Sequence, residues 1–384
     1  MLRAIIKPSD ILSFAILITV FLAPNGYAQL KINAVGDVMP GSVTPKKILP
    51  ENDKVFINSP GNILNDAGII FGNLEGTFIR DDFEPEKCSE KSRKRGTCYE
   101  FGIPENLAPA LKQLGFNVLN QDNNHSEDYG QAGYKFTQEK LSELGIKFIP
   151  KRGLAEFISG SKKIAVAAFG YSENSNNIND LQNTRLVISA LKDTYDIVIV
   201  SFHGGGEGKD FLHVPDSTEI YLGEKRGNVI EFAHTAIDAG ADMVIGHGPH
   251  VLRAMEIYKN KLIAYSLGNF LTYGNINVSG VNGTTVILQA VLDTTNGNFI
   301  RGKIIPVKQI GYGIPEYDDS GSGIKLMRDL TKEDFPGTKL LITPDGKIYN
   351  TSFGKTAFRF FDDELENVFK VQKLQEAEPS TVKN

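Results

Sequence analysis

A chain of 384 residues has room for two average domains, or for one large α/β domain with insertions, and is long enough to bury a sizeable core. Its 41% hydrophobic and 23% charged residues are the composition of an ordinary soluble globular protein. A net charge of −5 gives no support for nucleic-acid binding.

The chain opens on a targeting pattern. Arg3 and Lys7 make a thin basic start, residues 11–23 are an apolar run, Pro24 and Gly26 break it, and small residues flank Tyr27 up to Ala28. This predicts a signal peptide over 1–28, cleaved after Ala28, and a periplasmic or secreted protein. The run is shorter than the ~20 residues a spanning helix needs. The rival reading keeps it as an N-terminal membrane anchor. No cysteine follows it, which argues against a lipoprotein, and no later segment is apolar enough to span a bilayer.

After residue 30, short apolar runs alternate with helical periodicity. Strands are predicted at 31–35, 68–72, 116–120, 163–169, 197–202, 243–245 and 262–266. Helices are predicted at 106–114, 133–144, 184–192 and 225–239; Leu107, Leu111 and Leu114 share one face, as do Ile230, Ala233 and Ile237. The alternation implies βαβ units and a largely parallel sheet, hence an α/β fold. The only cysteines, Cys88 and Cys98, close a short segment, which in an exported protein predicts a disulfide. Further on, 284–292 and 303–307 read as an antiparallel pair around "TTNGN", 311–323 as loop, and 340–350 as a hairpin around Asp345–Gly346. Residues 375–384 read as a disordered polar tail.

Nearly every apolar run is followed at once by a metal-competent side chain. The first delivers Asp37, the second Asn73 and Glu75, the third Asn123, Asn124 and His125. Residues 197–202 lead to His203 and Glu207, and 243–245 to His247 and His250. In open α/β sheets, ligands bind at the carboxyl ends of the strands, so these groups are expected in one crevice. A mixed Asp, Glu, Asn and His set without thiolate suits one or two divalent ions of manganese, iron or zinc. Each residue alone has a plainer reading: Asp37 as a turn cap, Asn73 as a left-handed residue, Asn123 and Asn124 as an Asx-turn. His234 reads as helix surface, and His213 has no motif around it.

In this order, "GDVMPGS", "GNLEGTF", "NNHSEDYG", "HGGGE" and "GADMVIGHGPHVLRAMEIYKNKLIAYSLGNF" resemble the bacterial capsule-synthesis family, the CapA or poly-γ-glutamate synthesis group of the calcineurin-like metallophosphoesterases. The resemblance implies a four-layer α/β/β/α metallophosphoesterase-like sandwich over 30–310, with 311–374 as an extension packed on it. It also implies a dinuclear metal centre with Asp37, Glu75, Asn124, His203, His247 and His250 as ligands, and Asp37 and His125 in catalytic roles, His125 at the leaving group. Met39 stands where many phosphoesterases of the wider superfamily carry a ligand histidine.

The expected activity is that of an exported metal-dependent hydrolase, acting on a phosphate ester or a γ-linked polyglutamate-type polymer in capsule synthesis or release. A membrane capsule-synthesis complex is an expected partner. Asn73, Glu207, Arg93 and Arg95 are candidate substrate contacts, the two arginines because a basic loop suits an anionic polymer. The alternative is a non-catalytic periplasmic factor that binds the polymer or organises a synthase.

Overall fold

The computed structural model describes residues 29–56 and 64–353, so the predicted signal peptide at 1–28, the predicted tail at 375–384 and the end of the predicted extension lie outside the described residues. In chain order the elements are β1 (Gln29–Met39), β2 (Ile69–Leu74), β3 (Thr77–Ile79), α1 (Glu90–Arg95), β4 (Gly102–Pro104), α2 (Ala108–Gln113), β5 (Val118–Asn120), α3 (Gly130–Glu143), β6 (Lys147–Ile149), β7 (Leu154–Ser159) and β8 (Lys162–Gly170). Then follow α4 (Leu181–Lys192), β9 (Ile197–His203), β10 (Glu219–Tyr221), β11 (Glu224–Gly227), α5 (Val229–Asp238), β12 (Met243–His247), β13 (Met255–Tyr258), β14 (Lys261–Ala264) and β15 (Asn269–Thr272). The last are β16 (Thr284–Asp293), β17 (Phe299–Ile310), β18 (Ile314–Tyr317), α6 (Ser322–Asp334), β19 (Leu340–Ile342) and β20 (Lys347–Asn350).

Two mixed sheets carry the fold. The larger runs β19-β20-β17-β16-β1-β2-β5-β6, with β15 added to β1 and β18 to β17; the smaller runs β13-β14-β12-β9-β8-β7. The strands that lead to the site are parallel: β1, β2, β5 and β15 in one sheet, β8, β9, β12 and β14 in the other. Strand alternation explains the layers. In β9, Ile197 and Ile199 enter a central core with Ile32, Ala34 and Phe71 of the larger sheet, whereas Val198 and Val200 face Phe232 and Ala236 of α5. On the opposite outer face, Val35 and Ile70 pack with Leu111 of α2 and Leu141 of α3. The result is helix, sheet, sheet, helix. Both faces of each inner strand are covered, which is why these runs are continuously apolar in sequence.

Three departures from the sequence reading bear on the architecture. Residues 225–228 are not helical: β11 pairs with β10, and α5 starts after Asn228, whose side chain accepts the Glu231 N–H. The segment 311–323 is not all loop, because a turn with positive φ at Gly311 and Gly313 folds β18 back onto β17. The third is α6, for which no helix is read from the sequence; its Ile324 and Met327 plug the central core. β18, β19 and β20 all join the larger sheet. Among the described residues, no helix is long and apolar enough to cross a membrane.

Candidate functional site

Asp37 sits where β1 changes partners. Its register with β2 and β15 shifts at this point, pairing Asp37 with Asn73 on one side and Asn269 on the other. Gly36 permits the crossing: a Cβ there would lie 1.8 Å from the Gly268 carbonyl oxygen. The carboxylates of Asp37 and Glu75 are both fully buried, and one amide ties them: Asn73 Nδ2 donates to Asp37 Oδ1 at 2.8 Å and to Glu75 Oε2 at 2.5 Å. Asn73 Oδ1 in turn accepts from Asn120 Nδ2 at 2.9 Å and Asn123 Nδ2 at 3.0 Å. Asn73 is therefore a strut beneath the carboxylates, not a residue of the open cleft.

The smaller sheet brings the histidines. β9 and β12 run parallel with His203 opposite His247. Across the two sheets, His247 Nδ1 lies 3.8 Å from Asp37 Oδ1, and His203 Nδ1 lies 3.9 Å from Glu75 Oε2. His250 adopts φ 57°, a left-handed backbone unusual for a side chain with a Cβ, and this turns its ring back to the larger sheet. There its Nδ1 lies 2.9 Å from Asp37 Oδ2 and 3.0 Å from Asn269 Oδ1.

After β5, His125 is held on three sides. Its Nδ1 is 2.7 Å from Asp128 Oδ2, its ring lies against Phe101 with centroids 4.3 Å apart, and its Nε2 faces Glu75 Oε1 at 4.0 Å. Asn124 presents a buried Oδ1 without a hydrogen-bond partner.

Burial governs the electrostatics. It pushes Glu75 up to about 8, with the neighbouring Asp37 charge adding to the effect. It drives His247 down to about 4 and His203 well below the usual imidazole range, where Arg226 and the nearby imidazoles push the same way. His125 is also lowered by burial, against the pull of Asp128. For His250, burial works downward, but the hydrogen bond and charge of Asp37 hold it up to about 10. Glu75 Oε1 and both ring nitrogens of His203 and of His247 are buried and find no hydrogen-bond partner. Among the described residues no group of three or more His, Cys, Asp and Glu side chains is drawn close enough to hold an ion as it stands. The donors instead face one another in pairs.

A cleft of about 340 Å³ opens above this cluster, lined by His125, His250, Glu207, Tyr99, Tyr221 and Asn282 among others. Glu207 is paired with Arg226 at 2.9 Å, and Arg226 stacks over Tyr171. The seven residues Asp37, Asn73, Glu75, His125, His203, His247 and His250 thus come together, with Asn124 and Glu207 beside them. The loop arginines do not join them. Arg93 is engaged by Glu100, Arg95 is exposed, and neither lines the cleft. The disulfide forms, with Cα atoms 5.9 Å apart, and its loop reaches the site through Tyr99 and Lys87. Met39 packs in the outer apolar cluster of the larger sheet.

Sequence reasoning missed Asp128, Asn269 and Lys87. Asp128 was detectable three residues after His125, and Asn269 in "SLGNF". Lys87 carries no signal. Two other histidines are structural. His213 pairs with Asp334 at 2.7 Å, and His234 is half-buried rather than at the surface, 2.6 Å from Glu256 and stacked on Tyr258.

Known proteins give this site a context. The chain is 27% identical over 267 residues to capsule biosynthesis protein CapA of Bacillus anthracis, covering 63% of this chain and 60% of that protein. It is 26% identical over 263 residues to PGA biosynthesis protein CapA of Bacillus subtilis, covering 63% of each. It therefore spans under two thirds of these relatives' lengths. Among solved structures, purple acid phosphatase PPD1 from yellow lupin is similar at TM-score 0.35 and 9% identity, over 75% of this chain and 54% of the other. That likeness is too slight to argue from. The family described as "Bacterial capsule synthesis protein PGA_cap" matches residues 31–273, and the chain belongs to that family.

Proposed function

We propose that this protein is an exported, metal-dependent hydrolase, phosphoesterase-like in chemistry, that acts in the synthesis or release of a capsule polymer of the polyglutamate kind. The observation that carries the reading is the set of buried donor atoms without partners: Glu75 Oε1, Asn124 Oδ1 and the ring nitrogens of His203 and His247. Buried polar atoms are seldom left unpaired without a reason. Here the two imidazoles are held neutral, and two carboxyl groups lie side by side with Glu75 pushed towards its protonated form by burial and by Asp37. A divalent cation supplies what is missing, because it takes neutral imidazole and ionised carboxylate.

Asp37, Glu75, Asn124, His203, His247 and His250 would hold one or two such ions, of manganese, iron or zinc. When bound, the metal activates water and polarises the scissile oxygen. The remaining work falls to this chain's own groups. His125, with Nδ1–H held by Asp128, would act in its doubly protonated form, giving the Nε2 proton to the leaving group and returning to the neutral Nδ1–H ring. Phe101 shields that imidazole, and the Tyr99–Tyr221 side of the cleft receives the rest of the substrate.

The test is metal analysis of the exported chain offered manganese, iron and zinc, with turnover measured on a simple phosphodiester and on a γ-linked glutamate oligomer. His203→Ala and His247→Ala should lose metal. His125→Ala should keep it and lose turnover by roughly 100-fold. A wild-type protein that retains none of these ions would defeat the reading. One that binds metal but cleaves neither substrate would instead be a polymer-binding factor.

A further inference from the structure

The disulfide-closed segment has almost no core of its own. α1 buries none of its residues. Yet the two flanks of this segment grip the His125–Asp128 pair from both sides. On the entry flank, the Glu86 N–H donates to the Asp128 carbonyl oxygen at 2.9 Å. Lys87 Nζ donates to the Asn124 carbonyl oxygen at 2.7 Å, forms an ion pair with Asp128 Oδ1 at 3.0 Å, and lies 3.3 Å from His125 Nδ1. On the exit flank, the Phe101 N–H donates to Asp128 Oδ2 at 2.7 Å, and the Phe101 ring covers the imidazole.

The bridge joins these flanks one residue after Lys87 and three before Phe101. Glu100 reinforces it, accepting from the Cys88 N–H at 2.7 Å and from Arg93 Nε at 2.7 Å. Phe101 is anchored in the outer core and by the Thr77 N–H, so the covalent link serves to tie the less buried entry flank, and Lys87 with it, to this fixed exit flank.

The chemistry of Lys87 is that of a strut. An ammonium has three donors and no acceptor, so it cannot take a proton from His125 Nδ1–H. Its contact with Asp128 Oδ1 leaves Oδ2 facing the imidazole, where it accepts from Nδ1–H and keeps Nε2 towards Glu75 and the cleft. We propose that Lys87 is a positioning residue for His125 and that the Cys88–Cys98 bridge holds it there. This rests on the leaving-group role given to His125 above.

The experiment uses the full exported chain loaded with zinc. It compares wild type with Lys87→Met, Lys87→Arg, the Cys88→Ser/Cys98→Ser pair and, as a distant control, Lys325→Met. Two readouts are taken: kcat and KM on a simple phosphodiester, and the ring 15N signals of His125, assigned by their loss in His125→Gln. Lys87→Met should lower kcat about 10- to 100-fold with KM and zinc content unchanged, the usual scale for losing the partner that orients a working imidazole. Lys87→Arg should restore most of it, and the double serine variant should reproduce the loss. The His125 ring signals should move in Lys87→Met and in the serine pair, but not in Lys325→Met. A Lys87→Met protein with wild-type kcat and unmoved ring signals overturns the proposal. If the wild type cleaves nothing, the hydrolase reading falls and the ring signals alone decide the placement of His125. If Lys87→Met does not fold, Lys87→Gln and the serine pair carry the same comparison.

Discussion

The two sheets contribute unlike halves to one site. The half from the larger sheet is knitted together: Asn73 bridges Asp37 and Glu75, Asn120 and Asn123 support Asn73, and Asp128 holds His125. The half from the smaller sheet is bare. His203 and His247 lie in register on neighbouring strands, fully buried, with no partner for either ring nitrogen. His250 alone crosses between them. Protein groups satisfy most of the carboxylate half, with Glu75 Oε1 and Asn124 Oδ1 left over, whereas both ring nitrogens of His203 and of His247 are left without any protein partner.

The most damaging way to break this contrast is to remove the strut. Asn73→Leu would strand two buried carboxylates and two amides at once, and should cost about 3–5 kcal/mol, the scale for breaking a buried charged network. Urea unfolding of the metal-free protein measures it. A loss below about 1 kcal/mol would show that the carboxylate half is not self-supporting.

The bare half should answer differently. A His203→Leu/His247→Leu double variant removes unpaired polar atoms and keeps apolar volume next to Phe71 and Tyr171. Its metal-free stability should stay within about 1.5 kcal/mol of wild type while bound metal disappears. A collapse in stability with metal absent would mean that the imidazoles serve the fold.

Raising the pH sharpens the comparison further. Glu75 is held up to about 8 and His250 up to about 10, so in the folded metal-free protein both keep protons that the unfolded chain releases at lower pH. Their stabilisation is present at low pH and is lost as pH rises through the folded values, so the melting temperature should fall between pH 7 and pH 9. The lowered His203 and His247 act only below their ordinary value, outside this window. With divalent metal bound the fall should flatten, because the cation replaces those protons. A rising melting temperature over the same interval in the metal-free protein would contradict the assignment.

The smallest effect lies away from both halves. His234→Ala removes the stack on Tyr258 and one partner of Glu256, which still accepts from Tyr265 at 2.5 Å. We expect about 1 kcal/mol of destabilisation and unchanged metal content, by melting and by elemental analysis. A loss of metal would extend the site further than its geometry indicates.

The strand ends were legible from local sequence. Short apolar runs bounded by glycine and polar turns read as strands buried on both faces, and parallel pairing brings Asp37 and Glu75 to the end of one sheet and His203 and His247 to the end of the other. The helix at 108–113 and the hairpin at 340–350 were legible for the same local reasons, periodicity in one and Asp345–Gly346 in the other. The remaining features arise from long-range packing. α6 earns its place by plugging a core between sheets, which no local pattern announces. β10–β11 took the place of a predicted helical turn: Gly227, at φ 93°, cannot continue a right-handed helix, and Asn228 caps α5 directly after it. Arg93 and Arg95 of the basic loop, read as substrate contacts, stay out of the cleft, and Lys87 on the flank just before the loop reaches the site instead. That contact spans 41 positions between Lys87 and Asp128, beyond the reach of any local pattern. Strand-end chemistry follows from a short window of sequence, but the partners that orient it come from contacts between distant segments.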